Sequence, residues 1–302
     1  MTFTTQIKEE ITKEENNNIE DLTSLCTYLK FNATLEEDKM TVMVVNASVA
    51  RWIFKLLKTN YNVLIKLTTR TMKRFKARNL YILEVKEKLD LIYKDIDNIF
   101  KEISTSSDEE KKAFLKGMFL ACGSINDPKK NQYHLEFLVK EEDDAKLIDD
   151  LLNSLKIKSK VLKRDREYMV YVKSSENISD FIKYLGAFNA LFYFEDIRIY
   201  KDHKNMVNRL NNCEQANVER TLKSSKTILD NIKYLEDNDL LMLLDDRSKE
   251  IIEYKKKYPD TSLGELADII TMETNKSITK SGINHHFRKI NALVKKAKEN
   301  HE

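Results

Sequence analysis

Apolar and polar positions along the chain set out the same series of elements twice. The stretches "LCTYLKFNATLEEDKMTVMVVNASVARWIFKLLK" from Leu25 and "LKGMFLACGSINDPKKNQYHLEFLVKEEDDAKLIDDLLN" from Leu115 each begin with an apolar helical run. Each continues as a strand and ends as an amphipathic helix closed by a Leu-Leu pair, Leu56–Leu57 or Leu151–Leu152. Basic strand pairs follow both, "VLIKLTTRTMKRFKARNLYILEVK" and "IKSKVLKRDREYMVYVK", in which Tyr81, Val85 and Lys86 match Tyr168, Val172 and Lys173. The pattern predicts an internal duplication, each half reading helix, strand, helix, two strands. The polar stretch "DNIFKEISTSSDEEKK" separates the halves and puts a boundary near residue 105, giving repeats over 1–105 and 106–197.

From Arg198 to about Asp245 the spacing turns helical, with Val218, Leu222, Leu229 and Ile232 returning along one face, and predicts a connecting helix over 198–245. Residues 246–302 hold three short amphipathic runs, "RSKEIIEYKKKY", "SLGELADII" and "SGINHHFRKINALVKKAKE". Ser262 with Glu265 three residues later is a capping box, and Leu263, Leu266, Ala267 and Ile270 supply the inward stripe behind it. In the third run Ile283, Phe287, Ile290, Val294 and Ala297 fall on one side of a helical wheel. The expected fold class is α+β: a duplicated α/β N-terminal domain followed by an all-α trihelical domain, with a helix-turn-helix at about 262–295.

Composition narrows the classes. Five Gly and two Pro in 302 residues argue against an all-β chain full of tight turns. The 52 Lys+Arg and 49 Asp+Glu nearly cancel to +3, so only local clustering informs about partners. Cys26, Cys122 and Cys213 lie far apart with no C-x-x-C pair, which suggests reduced thiols and neither a disulfide framework nor a zinc site. No basic and apolar leader opens the chain and no long apolar window occurs, so a cytoplasmic protein with no membrane span is expected.

One local cluster stands out. From Thr274 to Lys298 there are seven basic residues and no acidic one. Ser281, Asn284, His285, Arg288 and Lys289 lie away from the apolar stripe, and Lys280, Lys295 and Lys296 flank them. These side chains donate to phosphates and base edges, and a basic face on an exposed helix gains affinity for DNA by releasing counterions. A solvated basic face on a small bundle is the alternative; the two short capped helices before it favour a recognition helix. His286 sits at the edge of the stripe and is expected to pack or hydrogen-bond inside the unit, whereas His285 points out. Two histidines without a third ligand make no metal site, and no cofactor is expected.

Four stretches resemble the bacterial WhiA family: "FTTQIKEEI", "GMFLACGSINDPKKNQYHLE", "KNMVNRLNNCEQANVERT", and "SLGELADII" followed by "ITKSGINHHFRKIN". The resemblance implies an N-terminal domain like a LAGLIDADG homing endonuclease and a C-terminal helix-turn-helix similar to that of sigma-factor region 4. In LAGLIDADG nucleases the eighth motif position carries the metal-binding carboxylate; aligning "LCTYLKFNA" and "LKGMFLACG" puts Asn32 and Cys122 there. Neither is the hard anionic oxygen donor that a divalent ion at a phosphoryl-transfer site needs, so nuclease activity is expected to be absent. The paired glycines of "FLKGMFLACGSIND" read as close-packing points where two such helices cross. The same resemblance places the basic strands at a DNA-facing saddle, with Arg70, Lys73, Arg74, Lys76, Arg78, Lys163, Arg164 and Arg166 as candidate contacts. A protein-binding role competes for that surface. The implied function is transcriptional control linked to cell division, chromosome segregation or sporulation, on double-stranded DNA in the nucleoid. An RNA polymerase sigma factor or division proteins are the implied protein partners.

Overall fold

The computed structural model describes residues 2–14, 17–72 and 78–299. The chain divides into two compact units, one through Asp202 and one from His203.

The first unit opens with a helix absent from the sequence pattern, α1 (Phe3–Ile11), whose Phe3, Ile7 and Ile11 are buried. Two repeats follow. The first runs α2 (Asn18–Asn32), β1 (Ala33–Leu35), β2 (Met40–Val44), α3 (Ala47–Tyr61), β3 (Ile65–Met72), β4 (Arg78–Val85) and α4 (Leu89–Glu102). The second runs α5 (Asp108–Cys122), β5 (Gly123–Ile125), β6 (Leu135–Val139), α6 (Glu142–Ser154), β7 (Lys160–Arg164), β8 (Glu167–Val172) and α7 (Ser175–Tyr184). Each repeat therefore holds a short extra strand and a closing helix beyond the expected pattern. Three-residue strands carry too little alternation to announce themselves.

Each repeat forms an antiparallel sheet with the same order, β1-β2-β4-β3 and β5-β6-β8-β7. The registers coincide as well: Val44 faces Tyr81 and Met43 faces Ile82 in one sheet, Val139 faces Tyr168 and Leu138 faces Met169 in the other. Matching Tyr81 with Tyr168 in the sequence is thus matching of place in the fold. The two halves share one core and pack as a single unit, with α2 against α5. Those two helices approach so closely that small residues line the contact: Ser24 Oγ donates to the Ala113 carbonyl at 3.0 Å, and Thr27 and Gly117 lie beside it. Gly117 is the close-packing point expected. Gly123, the first residue of β5, is instead tight against the helix before it, since a methyl there would meet the Phe119 ring at 2.4 Å.

Helix α8 (Phe188–Asp237) begins ten residues before the expected connecting helix, in the aromatic run "FNALFYF". Glu10 of α1 caps its start by accepting from the Asn189 and Ala190 amides at 2.7 and 3.1 Å, where the exposed N–H groups and helix dipole favour a carboxylate.

In the second unit the end of α8 joins α9 (Asp246–Lys257), α10 (Leu263–Thr274) and α11 (Lys280–Glu299). Ile228, Ile232 and Leu235 of α8 share a core with Ile251, Ile252, Leu266, Ile270, Ile283, Phe287, Ile290 and Val294. The last part of α8 is thus a fourth wall of the expected trihelical unit. Of the four positions read as one packed face, Ile232 is buried and Leu229 is partly buried, whereas Val218 and Leu222 are exposed. The start of α8 is buried at Ala190 and Phe194, no residue from His203 to Ser224 is buried, and burial resumes at Ser225.

Candidate nucleic-acid interface

The α10–α11 pair is built by local chemistry. The Ser262 hydroxyl accepts from the Glu265 amide while the Glu265 carboxylate takes the Ser262 amide at 2.8 Å, so the capping box forms as expected. α10 ends at Asn275 in the left-handed conformation, φ 54°, which an Asn tolerates better than most residues. Thr271 Oγ1 then accepts from the Ile278 amide at 3.2 Å and pins the turn, and Thr279 Oγ1 accepts from the Gly282 amide at the start of α11. Asn231 of α8 donates to Asn291 of α11 at 2.8 Å. The buried Lys255 Nζ donates to Ser225 Oγ at 2.8 Å and to the Thr261 carbonyl at 2.7 Å. These two ties had no signature in the sequence, since neither an Asn pair 60 residues apart nor a lysine in a Lys triplet marks itself as internal.

On α11, Ile283, Phe287, Ile290 and Val294 are buried and Ala297 half-buried. Ser281, His285, Arg288, Lys289, Lys295 and Lys296 share the opposite, exposed face; Asn284 is half-buried beside them, and Lys280 stands exposed at the first turn. Among the described residues the Arg288 side chain has no hydrogen bond or ion pair, so its guanidinium is available to a ligand. Lys289 differs. Its Nζ lies 3.5 Å from Asp245 Oδ2, the residue that caps α9, so the fold brings an acid to a face that lacks one in the local sequence. Lys295 pairs loosely with Glu299 at 3.8 Å on the open surface, an arrangement that ligand phosphate would displace at little cost.

His286 turns inward, its Nδ1 2.8 Å from Ser248 Oγ. Burial lowers its pKa below the ordinary histidine value; Asp245 opposes this, and Lys289, His285 and Arg247 reinforce it. The carboxyl of Asp245 is itself held down, chiefly by the hydrogen bond from Ser248.

In the first unit, Asn32 and Cys122 are the last residues of the paired helices α2 and α5. Asn32 Nδ2 donates to Tyr28 Oη, and Cys122 Sγ donates to the Met118 carbonyl at 3.4 Å. Burial pushes the Cys122 thiol up to about 12. Lys8 of α1 reaches the same helix end, where Nζ donates to the Leu120 carbonyl at 3.0 Å and lies 5.5 Å from the centre of the Phe119 ring. Burial pulls it down to about 8. The half-buried Lys8 and the half-buried Cys122 thus lie at the same end of α5. Among the described residues no three His, Cys, Asp or Glu side chains converge on a metal-sized space.

The basic strands divide. Arg70 lies on the side of its sheet away from the helices, with Lys66, whose Nζ is paired to Glu84 at 3.1 Å. Arg164 and Arg166 are exposed at the β7–β8 hairpin. Lys163 alternates to the helix side of its strand, 5.5 Å from the Tyr168 ring centre, so it and Arg164 do not form one patch. Lys73, Arg74 and Lys76 lie outside the described residues, and of Arg78 only the backbone in β4 is described. On the open sheet faces Met43 and Leu162 are about half exposed, and Glu84 and Glu136 sit among them.

Two repeats with LAGLIDADG-type helices at their interface, followed by a helix-turn-helix, define a class of protein that joins a LAGLIDADG-like unit to a helix-turn-helix domain. The matches to known proteins give the same division: a WhiA N-terminal LAGLIDADG-like domain over residues 19–99, a WhiA LAGLIDADG-like domain over 111–204 and a WhiA C-terminal HTH domain over 207–294. The chain belongs to the WhiA family. It is 36% identical to the probable cell division protein WhiA of Oceanobacillus iheyensis over 311 residues, covering 99% of this chain and 98% of that one. It is 37% identical to the probable cell division protein WhiA of Bacillus cytotoxicus, covering 98% and 97%. Full-length WhiA from Thermotoga maritima has a similar fold, with a TM-score of 0.60 at 21% identity over 98% of this chain and 99% of that one.

Proposed function

We propose that this protein is a non-enzymatic, DNA-binding transcriptional regulator linked to cell division, acting on the nucleoid in the cytoplasm. The observation that carries the reading is the exposed face of α11, where Ser281, His285 and Arg288 stand on a helix fixed by the α10 capping box and the Thr271 turn. Arg288 and His285 supply base-edge donors, Asn284 stands at the margin, and Lys280, Lys289, Lys295 and Lys296 supply phosphate contacts. The link to division comes from the relatives named as probable cell division proteins.

The LAGLIDADG-like unit acts here as a scaffold without nuclease chemistry. Its helix ends offer Asn32 and Cys122 in place of two carboxylates, with the Lys8 ammonium beside the second. A protein-binding role for this unit, toward a sigma factor or a division protein, is supported by the apolar Met43 and Leu162 on its open sheet faces.

Mapping the chromosomal sites bound in cells, followed by anisotropy titration of a recovered site against a scrambled one, tests the reading. Sequence-dependent binding that disappears with the α11 face supports it. Binding that survives loss of α10 and α11 but vanishes without the first unit overturns it.

A further inference from the structure

The central part of α8 stabilises itself in neither of the usual ways. Between His203 and Ser224 no residue is fully buried. Nor do its cations form the side-chain pairs that commonly support an exposed helix: among the described residues, Lys204, Arg209, Arg220, Lys223 and Lys226 have no ion pair or hydrogen bond from their side chains.

At 100° per residue these five cations fall within an arc of roughly 160°. Asn205, Asn208, Asn212 and Gln215 share that arc and the exposed Leu222 stands at its edge in the direction of Lys204, while Met206, Val207, Leu210 and Val218 lie outside it. The carboxylate between Lys204 and Lys226 that belongs to the arc is Glu219, and it accepts a hydrogen bond from Gln215 at 3.0 Å. The other acid of the segment, Glu214, lies on the far side. The result is a face with five cations against one carboxylate, interleaved with amides.

We infer that the Lys204–Lys226 face of α8 is a second DNA-contacting surface, which binds the phosphate backbone of a duplex separately from the bases read by α11. Positive charge alone would suit any polyanion. The amides favour a nucleic acid, since Asn and Gln donate to phosphate oxygens and can both donate to and accept from base edges. An anionic lipid surface fits less well, because the apolar side is broken by His203, Glu214 and Thr221. Length agrees: 22 steps at 1.5 Å make a span of about 33 Å, close to one turn of B-form DNA. This contact rests on α8 alone and stands or falls apart from α11.

The test uses the full chain and a labelled duplex of mixed sequence, titrated by anisotropy between about 50 and 200 mM salt. The triple variant Arg209→Ala, Arg220→Ala and Lys223→Ala keeps good helix formers at exposed positions and should retain the circular dichroism of the parent. It is expected to lose roughly tenfold or more in affinity near 0.1 M salt, with a log–log salt slope shallower by about 2 to 3. Replacing Arg209 and Arg220 by Lys, with Lys223 retained, should restore the slope. Unchanged affinity and slope in the folded triple variant would overturn the assignment, including the case where Arg288→Ala alone weakens binding, which leaves the α11 reading intact. If the triple substitution instead abolished binding to phosphatidylserine vesicles and spared DNA, the surface would belong to lipid and the inference would fail.

Discussion

Gly117 of α5 lies against Ser24 of α2 so closely that a methyl group on Gly117 would stand 2.3 Å from the Ser24 carbonyl oxygen and 2.8 Å from Thr27 Cβ. Alanine is a better helix former than glycine by roughly 1 kcal/mol, but here the clash is with backbone, which cannot rotate away. Gly117→Ala is therefore expected to separate α2 from α5 and destabilise the first unit by a net ~1–3 kcal/mol. Urea unfolding followed by the Trp52 signal, which reports on the same core, would show the transition at lower denaturant. An unchanged midpoint would mean that the two helices are not held at this distance.

On α11 the free Arg288 and the loosely paired Lys295 should differ in kind. Arg288→Ala removes a bidentate donor and is expected to cost ~1–3 kcal/mol on a specific site, with relaxed preference at one base position. Lys295→Ala should weaken specific and scrambled duplexes alike and lower the salt slope by about 0.9. Lys289→Ala is expected to do less than either on DNA, because Asp245 already neutralises part of its charge. Titrations of the three variants at several salt concentrations separate these outcomes.

Much of this architecture was legible in the residues because the signals were periodic. The apolar stripe of Ile283, Phe287, Ile290 and Val294 fixed the orientation of α11, and with it the inward turn of His286 and the outward turn of His285. The pairing of Tyr81 with Tyr168 survived as identical sheet registers. What escaped was non-local: Glu10 capping α8 from about 180 residues away, Lys8 reaching the end of α5, and Asp245 arriving beside Lys289. A charge count along the chain cannot register an acid delivered by the fold. Alternation likewise sorted Lys163 and Arg164 onto opposite sides of one strand, where the resemblance had grouped them.

Burial of His286 makes the second unit sensitive to mild acid. Its folded pKa lies below the ordinary value of 6.5, so the unfolded chain binds the proton more readily. Stability is then full above about pH 7 and falls as the pH drops through the unfolded pKa toward the lower folded one. Proton NMR of the histidine rings should show a His286 midpoint below 6.5, and His286→Asn should remove the part of the acid loss that begins as the pH falls through 6.5. A His286 midpoint above 6.5 would mean that Asp245 outweighs burial and that the sign is reversed.

Restoring acids at the two helix ends should not restore cleavage. Asn32→Asp and Cys122→Asp would put a carboxyl at the end of each central helix, as the nuclease motif requires. At position 122, however, the surroundings that push the thiol up to about 12 would also favour a protonated carboxyl. The Lys8 ammonium, fixed on the Leu120 carbonyl and over the Phe119 ring, would form an ion pair with the ionised fraction of that carboxyl and compete with any metal for it. Supercoiled plasmid incubated with the double variant and Mg²⁺ is thus expected to remain intact. Adding Lys8→Ala is the informative third step: nicking that appears only then would show that the scaffold retains nuclease geometry and that Lys8 blocks it, whereas nicking by the double variant itself would remove Lys8 from the explanation.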